Sequence, residues 1–162
     1  MSEEKAMEKK VGRILKMTAD MCEQYHTTLA EFYYKNMKSC VYTEAYVFAE
    51  AENKIKELVT YLKEGKAYVF GYLADNQLVG YVWGYIHRFR EEQRIYVNEI
   101  YVKEEWRSRG IGKQLLNEIE KEAEIRKIKA LYIHAEAGNE RAVKLYKKEG
   151  FKIERVQLRK SL

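Results

Sequence analysis

Proline is absent from this chain, and no internal repeat or low-complexity segment interrupts it, so nothing in the sequence marks a stiff linker between domains. Cysteine is nearly absent. Cys22 and Cys40 are too few for a disulfide framework and lack metal-ligand spacing, which makes a reducing, cytoplasmic setting the default and gives no reason to expect a metal. Long apolar runs are missing as well. The longest, "LVGYVWGYI", is too short to span a bilayer, and the opening "MSEEKAMEKK" is charged where a signal peptide would be apolar. The expectation is one soluble domain covering 1–162, long enough to bury a real core and without a membrane partner.

What the chain does contain is globular: 46% hydrophobic, 34% charged and 13% aromatic residues, a mixture that excludes disorder. Its net charge of +5 is unevenly placed. Residues 1–96 hold 14 Lys/Arg against 14 Asp/Glu, whereas residues 97–162 hold 16 against 11, so the excess lies wholly in the C-terminal part. An anionic ligand there would benefit. Nucleic acid is a poor candidate, because the basic residues alternate with acids, as in "NEIEKEAEIRK", and form no continuous stripe.

Periodicity predicts the elements. A short strand "VGRILKM" (11–17) precedes a helical segment from Thr18 to about Met37, with Met21, Tyr25, Leu29 and Phe32 on one face. A second helix runs from about Ala51 to Lys63 and stops at Gly65. "AYVFGYLA" and "QLVGYVWGYIH" form a hairpin about Asp75-Asn76, and "RFREEQ" leads to a strand at 94–102. A helix from about Gly110 to Lys127, a strand at 129–135, a helix from Asn139 to Glu149 and a last strand "FKIERVQL" complete the order. The prediction is an α/β fold, β-α-α-β-β-β-α-β-α-β, with antiparallel hairpins followed by a parallel crossover.

The crossover contains the informative stretch, "RSRGIGKQLL" (107–116). A P-loop requires G-x-x-x-x-G-K-[ST], but Arg107 occupies its first glycine position and Gln114 its hydroxyl position. A dinucleotide fingerprint requires a third glycine, where Leu115 stands. What remains is R-x-x-G-x-G between a strand and a helix. Successive backbone amides at a helix N-terminus form a concave anion site, glycines allow close approach, and the helix dipole adds a favourable field. The same glycines also serve simply to turn a strand into a helix.

"EIYVKEEWRSRGIGKQLL" followed by "NERAVKLYKKEGFK" closely resembles the GNAT superfamily of acetyl-CoA-dependent N-acetyltransferases. The resemblance rests on Arg107, Gly110 and Gly112 as the pyrophosphate motif and on Asn139 placed seven residues before Tyr146, and it covers about residues 77–153. It implies a single domain with a mixed, twisted sheet whose fourth and fifth strands, 94–102 and 129–135, splay apart around the co-substrate. It also implies that the backbone of Ile100, Tyr101 and Val102 holds the pantetheine arm and that amides from Ser108, Arg109, Gly110, Ile111, Gly112 and Lys113 hold the pyrophosphate. Asn139 would touch the pantetheine, and Arg107 and Arg109 would add charge. No metal is implied, and dimers are common in the family.

The chemistry asks for a base and an acid. An alkyl amine is mostly protonated near neutrality and must lose a proton before attacking a thioester, and the departing thiolate benefits from one. Glu99 is the candidate base, acting directly or through a water. Strict alternation along 94–102 puts it on a face with Ile95, Val97 and Tyr101, where burial would raise its pKa. Tyr146 is the candidate acid, since a phenol donates without prior charge. The amine acceptor is not named by the sequence, and it ranges from small molecules to peptides, protein N-termini and lysines. "SCVYTEAYVFAEAEN" (39–53), with Tyr42, Glu44, Tyr46, Phe48, Glu50 and Glu52, reads as an acidic, aromatic wall suited to a cationic acceptor, or as a helix lead-in whose acids favour the N-terminus that follows. A non-catalytic acyl-CoA-binding sensor of the same fold is the other reading, and an intact Glu99 and Tyr146 speak against it.

Overall fold

A computed structural model describes residues 12–39 and 47–162. Five strands form one sheet in the order β1-β2-β3-β4-β5. The elements run β1 (Arg13–Lys16), α1 (Ala19–Gln24), α2 (His26–Lys38), α3 (Phe48–Lys63), β2 (Ala67–Ala74), β3 (Gln77–Phe89), β4 (Glu92–Val102), a 3₁₀ turn (Glu104–Trp106), α4 (Ile111–Ile125), β5 (Leu131–Ile133) and α5 (Glu140–Lys148). Strands β1 to β4 are antiparallel neighbours, and β5 joins β4 in parallel after the α4 crossover.

Local chemistry accounts for most boundaries. Thr18 caps α1 by accepting from the Met21 amide at 3.2 Å. The expected single helix after it is two helices, because Tyr25 (φ −92°, ψ 14°) closes α1 and opens α2. Asp75 and Asn76 both adopt positive φ, 50° and 58°, which matches the twist of a two-residue hairpin. Strands β3 and β4 run further than periodicity predicts and meet in a second tight turn at Arg90-Glu91, with Arg90 at φ 55°.

Two cores result, one on each side of the sheet. Helices α1 to α3 cover one face, burying Leu29, Phe32, Ile55 and Leu58 against Val69, Tyr81, Trp83 and Tyr101. On the other face, α4 buries Ile111, Leu115, Leu116 and Ile119 against Phe70, Val82, Ile95 and Val97, joined by Tyr146 of α5. Burial of this apolar surface is the dominant stabilising term. Cys22 is buried in the first core, and desolvation pushes its thiol up to about 12, which leaves it unreactive.

The last expected strand does not form. Residues 151–162 have no regular secondary structure, and Ile153, Val156 and Leu158 are exposed. The segment touches the sheet through side chains, with the Tyr132 hydroxyl donating to Glu154 at 2.8 Å and Arg155 lying over Phe89. Alternating apolar residues record strand propensity, but a strand needs a backbone partner, and three-residue β5 offers a short one.

Candidate active site

Strand β4 is where the faces of the sheet change roles. Glu99 pairs with Trp83 and Val97 with Gly84, so Asn98 is an extra residue, a β-bulge. Before it, Ile95 and Val97 point to the α4 side; after it, Tyr101 joins the α1–α3 side. Glu99 lies on the latter side, where the Asn36 Nδ2 of α2 donates to its Oε1 at 2.7 Å. Strict alternation therefore misplaces Glu99: it shares a face with Tyr101 but not with Ile95 and Val97, because one inserted residue shifts the period. Its burial does hold, at 3% exposure.

The bulge also marks where the sheet opens. Strand β5 pairs with β4 at Ile95, Tyr96 and Val97 only, and the pairing ends at Val97↔Ile133, one residue before Asn98. A bulge bends and over-twists its strand. From residue 98 onward β4 keeps its ladder with β3 but, among the described residues, has no paired strand on its β5 side. The arrangement is a fork, with Ile100, Tyr101 and Val102 on one arm.

The N-terminus of α4 stands beside that arm. Whereas α1 and α5 have side-chain caps, Gly110 is the N-cap of α4 and supplies none. Its φ of 76° is a left-handed conformation that glycine accommodates without cost, and Ser108, two residues earlier, also turns the backbone at φ 62°. The amides of Ile111, Gly112 and Lys113 precede the first intrahelical donor, Gln114, which bonds the Gly110 carbonyl at 3.1 Å, so they face outward from the helix start. Gly112 acts differently. A Cβ there would lie 3.3 Å from Leu145 Cδ2 and 4.0 Å from Ile100 Cδ1, so this glycine brings α5 close to α4.

Cations surround this turn, each held in place. Arg107 Nε donates to the Val102 carbonyl at 2.8 Å, Arg109 packs over Trp106 and donates to the Glu105 carbonyl, and Arg141 donates to the Ser108 hydroxyl. Lys113 pairs with Glu149 at 3.7 Å. Asn139 caps α5, its Oδ1 accepting from the Ala142 amide at 3.2 Å.

Tyr146 projects from α5 into the α4-side core, 9% exposed and edge-on to Phe151. Burial, then the charge of Glu99, raise its pKa, so the phenol stays protonated and the two groups sense each other from opposite faces. Glu99 is itself raised well above the usual carboxylate value by burial, opposed by the Asn36 hydrogen bond and the Lys54 charge. A buried carboxyl on one face of the sheet and a buried phenol on the other, each with a raised pKa, accompany the fork and the uncapped helix start. That set can take one proton and give another.

Of the remaining candidates, Tyr42, Glu44 and Tyr46 lie outside the described residues, as does Cys40. Phe48 packs edge-on against Tyr34, and Glu50 accepts from the Val47 amide at 3.4 Å, a capping role for α3. Among the described residues, no cluster of metal-ligating side chains occurs and no helix is long and apolar enough to cross a membrane. Sequence reasoning missed Asn36 and Lys54. Asn36 was accessible in principle, because it follows Leu29 and Phe32 at helical spacing, and an amide on a buried helix face needs a partner.

The sheet forks beside a helix start that has no side-chain cap, and comparison with known proteins gives the class. Residues 23–151 match the model of the acetyltransferase (GNAT) family, and the chain belongs to that family as an acyltransferase. It is 23% identical to an uncharacterised N-acetyltransferase, YdgE, of Bacillus subtilis over 90% of this chain and 95% of that one. Its fold matches an aminoglycoside acetyltransferase, meta-AAC0020, from an uncultured soil metagenomic sample, solved with sisomicin (TM-score 0.71, 16% identity, 93% and 96% coverage). It also matches the aminoglycoside N-acetyltransferase AAC(6')-Iy, solved in complex with CoA (TM-score 0.68, 16% identity, 93% and 95% coverage).

Proposed function

We propose that this chain transfers an acetyl group from acetyl-CoA to a primary amine. The observation that carries the proposal is the fork itself: β4–β5 pairing stops at Val97↔Ile133, two residues before buried Glu99, and the uncapped start of α4 lies against Ile100 on the open arm. The CoA complex of a protein with the same fold supports the choice of carrier. In this reading the β5 side of Ile100, Tyr101 and Val102 pairs with the pantetheine amides as an added strand would, with Arg107 holding the Val102 carbonyl in place. The pyrophosphate sits on the amides from Ser108 to Lys113, in the field of α4 and of the flanking Arg109. Asn139, with its oxygen committed to the helix cap, offers its Nδ2 to the pantetheine.

The acceptor arrives as an ammonium ion. Glu99, ionised above its raised pKa, removes a proton directly or through a water, and a high pKa makes the carboxylate a better base than an exposed one. The free amine nitrogen attacks the thioester carbonyl and a C–N bond forms. The C–S bond then breaks, and the Tyr146 phenol gives its proton to the leaving sulfur. The proton lost by the amide nitrogen returns to solvent, and Tyr146 is reprotonated.

Calorimetry with acetyl-CoA, paired with a thiol-release assay against primary amines, tests this. The natural protein should bind and turn over. Gly110→Asp places a carboxylate at the α4 N-terminus, where nothing lies closer than Gln114 Nε2 at 4.0 Å, so the fold is kept at the cost of a strained φ. Its acetyl-CoA affinity should fall roughly tenfold or more through charge repulsion. Equal affinity in a folded variant would overturn the phosphate assignment.

A further inference from the structure

On the Glu99 face, β3, β4 and the residue after β5 carry a run of rings that the chemistry above does not use. Trp83 stands opposite Glu99 in the ladder, and Tyr85 stands opposite Tyr96. The rings follow in steps: Trp83 to Tyr85 at 5.8 Å, Tyr85 to Tyr96 at 5.4 Å, Tyr96 to His134 at 5.2 Å, while Tyr61 of α3 flanks Tyr85 at 5.4 Å. The Tyr96 hydroxyl and His134 Nδ1, 2.9 Å apart, tie the arms of the fork together where β4–β5 pairing ends. Trp83 is buried, but Tyr61, Tyr85 and Tyr96 are half-exposed and His134 is exposed, so helices α1 to α3 leave this end of the sheet uncovered.

Among the described residues, the charge beside these rings is paired. Glu57 stands against Tyr61 and raises its pKa, but Lys54 pairs with Glu57, and the Lys54 ammonium also lies 5.9 Å from the centroid of the Trp83 ring. Burial, not a carboxylate, is the first cause of the raised pKa at both Tyr85 and Tyr96. Among the described residues a second cation on the acceptor would therefore meet a carboxylate already matched by a lysine. A flat apolar group would meet ring edges and faces, which favour another ring.

We infer that the acceptor is an arylalkylamine, its ring seated on Tyr85, Tyr96 and Tyr61 and its amine reaching Glu99; the inference rests on the acetyl-transfer reading and names its substrate class. Two rungs of the ladder separate Glu99 and Trp83 from Tyr96 and Tyr85, about 7 Å at strand rise, which an amine on a short carbon chain spans from its ring. The His134–Tyr96 bond holds the ring floor at the mouth of the fork.

The test measures thiol release with 2-phenylethylamine, n-hexylamine and 1,4-diaminobutane. The natural protein should show kcat/KM for 2-phenylethylamine about tenfold above the other two, the size of two aromatic contacts. Tyr96→Leu should bring the ratio of 2-phenylethylamine to n-hexylamine toward one while calorimetric acetyl-CoA affinity holds. Tyr85→Leu carries the same comparison if Tyr96→Leu does not fold. A preference for the diamine, or equal losses on all three amines in both variants, would overturn the inference and leave acetyl transfer standing. Bound acetyl-CoA with no thiol released by any amine would overturn both.

Discussion

The two faces of the sheet hold the two halves of this chemistry in different ways. On the α4 side, the proposed anion-binding turn is built from consecutive residues, Arg107 to Lys113, and would work through backbone amides that need glycine and a helix start but no particular side chain. On the α1–α3 side, Glu99 depends on Asn36, 63 positions away, and on Lys54, each from a different helix. A backbone site is written in one stretch. A side-chain site is assembled by the fold, and its parts are dispersed along the chain.

The largest blow to the second face is Glu99→Gln. It keeps the shape and an oxygen for Asn36 but removes the base, so kcat should fall about 10²- to 10⁴-fold. Stability should move the other way. Because the folded pKa of Glu99 lies above its unfolded value, the natural protein carries the burial cost in full at pH above that folded pKa and sheds it as pH falls and the carboxyl protonates. The variant should therefore melt higher than the natural protein at alkaline pH, with the gap closing toward the ordinary carboxylate range. Thermal melts across pH check the sign, and an unchanged kcat would remove Glu99 from the mechanism.

A smaller loss should follow on the α4 face from Tyr146→Phe, which deletes one hydroxyl from a buried ring. Cofactor affinity should hold while kcat drops about 10- to 10³-fold. Single-turnover kinetics reveal whether chemistry limits the rate, and an undiminished chemical step would return Tyr146 to a packing role.

The mildest change sharpens the contrast most. Asn36→Ala leaves Glu99 in place but removes the hydrogen bond that favours its charged form. Its pKa should rise further, and the acid limb of the kcat/KM profile should move to higher pH. A substitution in the proposed pyrophosphate turn, Arg109→Ala, should leave that limb where it is. A limb that does not move in Asn36→Ala would mean that another group sets it.

The same division governs what could be read without a structure. Gly110 and Gly112, the Asp75-Asn76 turn, the Thr18 cap and the amphipathic face of α4 are local and were legible. The Glu99 partners were not, because no sequence spacing relates Asn36 to residue 99. The orientation of Glu99 was misread because a bulge leaves no mark in composition: Asn98 looks like any strand residue, and period two runs through it. The missing last strand is the converse, a pattern legible in residues 151–158 with no partner to realise it.

The bulge has a genetic consequence. Loss of the single codon for Asn98 would leave every neighbouring side chain on its present face, because Val97 and Glu99 already pair with consecutive residues of β3. The strand would straighten, and the bend that follows the last β4–β5 pair would be lost. Should the fork close, Glu99, Tyr146 and both glycines would be untouched, so a lineage that lost one unremarkable asparagine would keep every proposed active-site letter and lose the slot to use them in.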